Sequence, residues 1–222
     1  ILRVFCTEQH HEEQSSYRFM RSNSYATDTL SRDGKGALVR SGCGLIWSGF
    51  RPSDDACRYG YLIPSNMFAV VVLGYLEEIA AEILEDEGLR QEARALKEEV
   101  YQAIEAIGKT KTEEFGEIYA YETDGYGMYN LMDDANVPSL LSMSYLGYPA
   151  DQEIADRTRK FLLSEANPYY FEGSAAAGIG SGHTPSGYIW HIALAMQGLT
   201  ETDQKEKEKL LDISRRPSGL RK

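Results

Sequence analysis

Residues 64–108 read PSNMFAVVVLGYLEEIAAEILEDEGLRQEARALKEEVYQAIEAIG, and this stretch decides the fold class. Pro64 stands where a helix tolerates proline best, in the first turn, where its missing N–H goes unused. Behind it Phe68, Val71, Val72, Tyr75, Leu76 and Ile79 recur with a 3.6-residue period, which predicts a helix closing near Gly88. A second helix is predicted from Leu89 to Ile107, with Leu89, Ala93, Leu96, Val100, Ile104 and Ile107 on one face and Gly108 as its stop. The short link between the two predicts an antiparallel helical hairpin.

Outward from this hairpin the pattern stays helical. Further helices are predicted over Val137 to Leu146, Asp151 to Ala166 and Pro185 to Leu199, and the charged segment Glu201 to Ile213 opens a sixth. Glu117 to Tyr121 alternate and run into Thr123-Asp124-Gly125, which predicts a small β-hairpin arm. The first 60 residues carry no helical period beyond a short stretch at the start, and Thr27 to Gly44 reads as loop. The expected class is all-α, built from helical hairpins with one β-hairpin arm. No repeat of fixed period is visible, which argues against a solenoid.

Composition narrows the partners. The chain has 222 residues and a formal net charge of −11, so it lacks the basic footprint that binding a phosphate backbone requires, and no nucleic-acid partner is expected. The longest apolar run, Met67 to Leu73, is shorter than a bilayer span, and no membrane partner is expected. Cys6, Cys43 and Cys57 are odd in number and show no CxxC spacing, which fits reduced thiols. Cysteine usage and the lack of a visible export signal point to the cytoplasm, although the chain starts at Ile1 without an initiator Met.

Four loops concentrate the chemistry. Thr7-Glu8-Gln9-His10-His11-Glu12-Glu13 sets two imidazoles beside carboxylates, but adjacent side chains diverge and match no zinc spacing, so it reads as a polar loop contributing one or two hydrogen bonds. Trp47-Ser48-Gly49-Phe50-Arg51-Pro52-Ser53-Asp54-Asp55 crowds aromatics, a guanidinium and two carboxylates into nine residues. Flat rings suit the C–H face of a sugar, and adjacent carboxylates can separate in pKa, leaving one as a general acid. The plainer reading is that Ser53 or Asp54 caps a helical turn. The third is Asp124-Gly125-Tyr126-Gly127 followed by Met132-Asp133-Asp134-Ala135-Asn136-Val137-Pro138-Ser139-Leu140, where a cap at Asp134 or Asn136 explains one polar residue but not three. Gly180-Ser181-Gly182-His183-Thr184-Pro185 is the fourth; His183 lies in a glycine-flanked loop, whereas His191 on an aromatic helix face reads as core. These loops contain no P-loop, dinucleotide glycine motif, serine elbow or metal cluster. Carboxylates, amides and aromatics without a cofactor suit carbohydrate chemistry.

The stretches TEQHHEEQSSYRFMRSN, WSGFRPSDDACRYGYLIPSNMFAVVVLGYLEEIA, YAYETDGYGMYNLMDDANVPSLLSMSYLGY and GHTPSGYIWHIALAMQGLT closely resemble glycoside hydrolase family 125, from about Thr7 to Ile213. The resemblance implies part of an (α/α)6 barrel that removes terminal α-1,6-linked mannose from an oligosaccharide or glycan, exo-acting and inverting, with no metal and no cofactor. It places the general acid in Arg-Pro-Ser-Asp-Asp, at Asp54 with Asp55 as the alternative. Trp47, Arg51, Asp133, Asp134, Asn136, His183 and Thr184 lie in matching blocks and are expected to line the sugar site.

The resemblance also implies two departures. Family members are about twice this long, so residues 1–222 are expected to be one partial catalytic domain, with residues 214–222 a tail outside the family pattern. The family's catalytic base is a Glu in a Met-His-Glu segment that this chain does not contain. An inverting mechanism needs both carboxylates, so these residues alone are expected to turn over little or no substrate. The competing expectations are another (α/α)6 glycosidase, glucoamylase-like and acting on α-glucosides, and a catalytically inactive mannose-binding module.

Overall fold

The structure, a computed structural model, describes residues 1–22, 25–174 and 176–214. Among them the chain is mostly helical. Six helices have eight residues or more: α1 (Leu2–Gln9), α2 (Ile63–Glu82), α3 (Glu87–Ile107), α4 (Gln152–Leu162), α5 (His191–Leu199) and α6 (Gln204–Ser214). The predicted central hairpin is α2 and α3. Pro64 occupies the first turn of α2, and the Asp86 carboxylate caps α3 by accepting from Leu89 N at 2.9 Å. Met67, Val70 and Leu73 of α2 and Leu96, Val100 and Ile104 of α3 are buried in the core. Each such side chain contributes about 1.5–3 kcal/mol when fully removed from water.

α2 differs from its predicted amphipathic form. It is apolar nearly all round, so Phe68, Tyr75 and Ile79 remain exposed opposite its buried face. By length and composition it is the one helix among the described residues able to cross a membrane, with a mean hydropathy of 1.3, whereas the uninterrupted run Met67 to Leu73 alone had suggested that none was. In this structure its buried face forms the core of the helical hairpin.

Three predicted helices are shortened, two of them at their starts, for reasons the helical period does not reveal. Over Val137 to Leu146 only Met143–Leu146 is helical. Upstream, the Asp133 carboxylate takes Leu140 N and Leu141 N, each at 2.9 Å. The Ser139 and Ser142 hydroxyls take each other's amides at 3.2 and 2.9 Å. Amides satisfied by side chains do not enter an i−4 ladder. Residues 185–190 are likewise not helical. Gly187 holds φ at +87°, and α5 starts only at His191. α4 ends at Leu162 rather than Ala166, and its start matches expectation: Asp151 caps it through Glu153 N and Ile154 N.

The single expected β-arm becomes three small antiparallel sheets, which corrects the all-α class to mostly helical. β1 (Tyr61–Leu62), β4 (Glu122–Thr123) and β5 (Tyr129–Asn130) form one, in the order β1-β4-β5. β2 (Lys109–Thr112) pairs with β3 (Gly116–Tyr119), so the arm closes on upstream residues and not through Asp124-Gly125, which instead joins β4 to β5. β6 (Tyr170–Glu172) pairs with β7 (Ala177–Ile179). The first sheet matters most, because it fixes the residues behind the site. The expected tail at 214–222 lies, beyond Ser214, outside the described residues.

Candidate active site

The segment from Gly49 to Cys57 doubles back on itself. Phe50 and Ala56 form an antiparallel bridge, Cys57 N donates to Gly49 O at 2.9 Å, and Arg51 N donates to Asp55 O at 2.8 Å. Asp54 N donates to Arg51 O at 3.0 Å, which closes the tip as a tight turn. Asp54 adopts φ +70°, a left-handed conformation that Asp tolerates better than most side chains. The turn therefore sends consecutive carboxylates in different directions: Asp54 is exposed, and Asp55 is 4% exposed.

Three side chains hold this turn from behind. Arg51 Nε donates to Glu122 Oε1 at 2.6 Å, Ser53 Oγ donates to Asp134 Oδ2, and Asn136 Nδ2 donates to Pro52 O at 3.2 Å. In front lies a pocket of about 490 Å³ lined by Tyr17, Phe19, Arg21, Asp28, Phe50, Asp54 and His183. That volume falls in the range of small-ligand sites. Phe19 and Phe50 meet edge to face at 5.1 Å, and the Arg21 guanidinium lies 5.4 Å from the Phe19 ring centre. The pocket thus offers flat apolar surface, one guanidinium, two carboxylates and an imidazole. This set can stack on a sugar ring, read its hydroxyls and deliver a proton.

The expected site residues separate into lining and support. Asp54 and His183 line the pocket. Asp55 lies just behind, with Oδ1 3.2 Å from His183 Nδ1. Arg51, Asp133 and Asp134 are buried, and Asn136 is engaged with the turn's backbone. Thr184 Oγ1 accepts from Trp190 Nε1 at 2.9 Å, which steadies the His183 loop. Trp47 does not line the pocket. It is 7% exposed, and the His11 ring stacks on its face at 3.7 Å with an 11° tilt. Gly36 and Gly60 let the backbone pass so close that a Cβ there would fall within 2.6 Å of the indole. The aromatic surface comes instead from Tyr17, Phe19 and Phe50.

His11 makes two hydrogen bonds, as the polar-loop reading of its segment expects, but from a helical turn (His11–Gln14) and not a loop. It is fully buried, with Nδ1 2.6 Å from Glu8 Oε2 and Nε2 2.8 Å from Lys35 O, so it ties α1 to the following loop. Among the described residues no group of three His, Cys, Asp or Glu side chains is arranged to hold a metal ion. All three cysteines are free. Burial pushes the Cys57 thiol well above its ordinary range, which leaves it unreactive.

Sequence reasoning did not single out Glu122. It is fully buried and accepts from Arg51 Nε, Arg58 N, Tyr59 N and Asn130 Nδ2. The available signal was a carboxylate directly after the run Tyr119-Ala120-Tyr121, since a charge drawn into such a segment is buried only when paired. Electrostatics distinguish Asp133 as well. Burial pushes the Asp133 carboxyl up to about 8, against the pull of the Leu141 and Leu140 amides.

Comparison with known proteins gives this geometry its context. A family model described as metal-independent alpha-mannosidase (GH125) matches residues 2–219. The meiotically up-regulated gene 157 protein of Schizosaccharomyces pombe is 41% identical over 202 residues, covering 89% of this chain and 39% of that protein. A solved structure from Streptococcus pneumoniae, of a metal-independent alpha mannosidase in a non-productive complex with alpha-1,6-mannobiose, superposes with a TM-score of 0.92 at 47% identity. It covers 96% of this chain and 50% of the other, so the chain spans half or less of the length of these relatives. With a family match over nearly its whole length, the chain belongs to the metal-independent alpha-mannosidases of glycoside hydrolase family 125.

Proposed function

We propose that these residues form the acid-bearing part of an exo-acting α-1,6-mannosidase that works with inversion, and that their helical hairpins belong to an (α/α)6 barrel. The observation that carries this reading is the divergence of the paired carboxylates: Asp54, not Asp55, faces the aromatic pocket. In the proposed reaction the carboxylic acid of Asp54 gives its proton to the glycosidic oxygen as the bond to the anomeric carbon breaks. Tyr17, Phe19 and Phe50 supply stacking surface, and Arg21, Asp28 and His183 take hydroxyls. A Glu from a segment outside these 222 residues removes a proton from water, which attacks the opposite face. The two carboxyl groups then stand roughly 6.5–9.5 Å apart, leaving room for that water. No metal or cofactor is assigned a role.

The test is Asp54→Asn in the protein extended to the length of its relatives. Turnover of α-1,6-mannobiose should fall about 10²–10⁴-fold, the usual contribution of a positioned acid. Proton NMR of the first product should show β-mannose, and α-1,6-linked glucobiose should remain uncleaved because its 2-hydroxyl points the other way. Full activity in the Asn variant would remove Asp54 from the mechanism; α-mannose as first product would remove inversion.

A further inference from the structure

We infer that Glu122 is a positioning residue for the acid: it holds both ends of the segment whose tip presents Asp54. The inference rests on the proposed role of Asp54 and goes one step behind it. Glu122 lies on β4, between Leu62 of β1 and Asn130 of β5 in register. Its Oε1 accepts from Arg51 Nε at 2.6 Å, three residues before Asp54. Its Oε2 accepts from Arg58 N and Tyr59 N, both at 3.0 Å, four and five residues after Asp54. Asn130 Nδ2, at 3.2 Å, completes the set. One carboxylate thus gathers the two feet of the turn and fixes the distance between them.

Stability alone gives a poor account of this arrangement. Arg51 is 9% exposed and Glu122 is fully buried, so both charges have left water. A buried ion pair is often no more stabilising than well-packed apolar residues of the same volume. What the pair supplies is direction. Arg51 N and O both bond within the turn, to Asp55 O and from Asp54 N, so fixing the Arg51 side chain fixes the backbone that aims Asp54. Asp54 needs that restraint, because its left-handed φ would relax in a free loop. The Tyr121 ring, 5.7 Å from the guanidinium, closes the remaining side of Arg51.

A misplaced acid has a kinetic signature that a loosened core lacks. Protonation matters for a sugar leaving group, which departs poorly as an alkoxide, and hardly at all for dinitrophenolate, which departs unaided. Glu122→Gln puts an amide N–H₂ where backbone N–H donors now find an oxygen. Arg51→Lys is the milder partner variant, keeping the charge but losing the fixed fork. In the protein extended to family length, both should lower kcat on α-1,6-mannobiose by about 10²-fold or more with KM within about threefold, while kcat on dinitrophenyl α-mannoside stays within about tenfold. Asp54→Asn, assayed alongside, should show the same split. If both substrates slow equally in the Glu122 and Arg51 variants, or neither slows, while Asp54→Asn shows the split, Glu122 is a structural residue only. If Asp54→Asn shows no split, the acid assignment fails and this inference fails with it. Arg51→Lys keeps the test decisive if Glu122→Gln does not fold.

Discussion

The Nδ1 of His183 lies 3.2 Å from Oδ1 of Asp55, joining residues 128 positions apart. Gly182 makes the approach possible, since a Cβ there would come within 3.2 Å of the other Asp55 oxygen. Asp55 is therefore already engaged, with His183, which lines the pocket. Asp55→Asn should release the ring and raise KM for α-1,6-mannobiose about 10–100-fold, the usual cost of losing a hydrogen bond to a charged group. The kcat should stay within a few-fold, and adding His183→Ala should cost little more. A collapse of kcat instead, as deep as that of Asp54→Asn, would hand the acid role to Asp55.

Asp54 stores backbone strain at the tip of its turn. Its φ of +70° is one that a Cβ disfavours, and glycine adopts it freely. Asp54→Gly should therefore raise stability by roughly 0.5–1 kcal/mol, while Asp54→Ala should not. Both should be inactive. Thermal melts of the three proteins decide this, and a melting temperature for Asp54→Gly below that of Asp54→Ala, as glycine's extra freedom in the unfolded chain alone would give, would mean that the turn carries no strain.

What the sequence discloses here follows the range of the interactions. The α2–α3 hairpin was legible from local signals: a proline in the first turn of α2, a 3.6-residue period along α3 and a glycine at its stop. The period read along α2 (Phe68, Val71, Val72, Tyr75, Leu76, Ile79) instead marked residues that the fold leaves exposed or half-buried, because that helix is apolar nearly all round. The break before Met143 was not, because the acceptor that captures Leu140 N and Leu141 N is Asp133, seven and eight residues upstream. Glu122 was invisible for a stronger version of the same reason, its guanidinium partner being 71 residues away. The carboxylate pair at 54 and 55 was legible as chemistry, but which of the two faces the pocket depends on one left-handed φ. Trp47 was read for its aromaticity; its burial depends on His11 and on glycines from two other segments.

Glu12 should govern part of the acid limb of stability. Arg32 grips it with both terminal nitrogens, at 2.7 and 2.8 Å, and Lys35 Nζ lies 2.8 Å from Oε2. The Arg32 hydrogen bonds, helped by Lys35 and opposed by burial, hold its carboxyl near 2 against an ordinary 4.5. A carboxyl depressed in the folded state stabilises above its unfolded pKa and loses that contribution as pH falls toward the folded one. Glu12→Gln should thus cost on the order of 2 kcal/mol at pH 6, a figure that allows for screening at the partly exposed Arg32. The gap from the parent should shrink steadily from pH 4.5 to 2. Urea midpoints across that range test it; a gap independent of pH would show that the fork contributes packing rather than charge.

Asp133 should tilt stability the other way. Its carboxyl is held up to about 8, mainly by burial, while in the unfolded chain it ionises near 3.8. Between those values the folded state keeps a proton that the unfolded state has released, so rising pH favours unfolding. The contribution is fully present below about 4 and is lost as pH climbs through 8, with a slope approaching about 1.4 kcal/mol per pH unit in mid-window. Asp133→Asn should remove that slope. It should also lower stability at pH 5 by about 1–3 kcal/mol, because the amide offers one oxygen where Leu140 N and Leu141 N now meet two, and its N–H₂ faces a donor. Urea midpoints of both proteins from pH 4 to 9 should therefore cross roughly one to two units above pH 5, with the Asn protein the more stable at alkaline pH. Parallel curves would mean that Asp133 is ionised in the fold throughout, its two backbone donors outweighing the cost of burial.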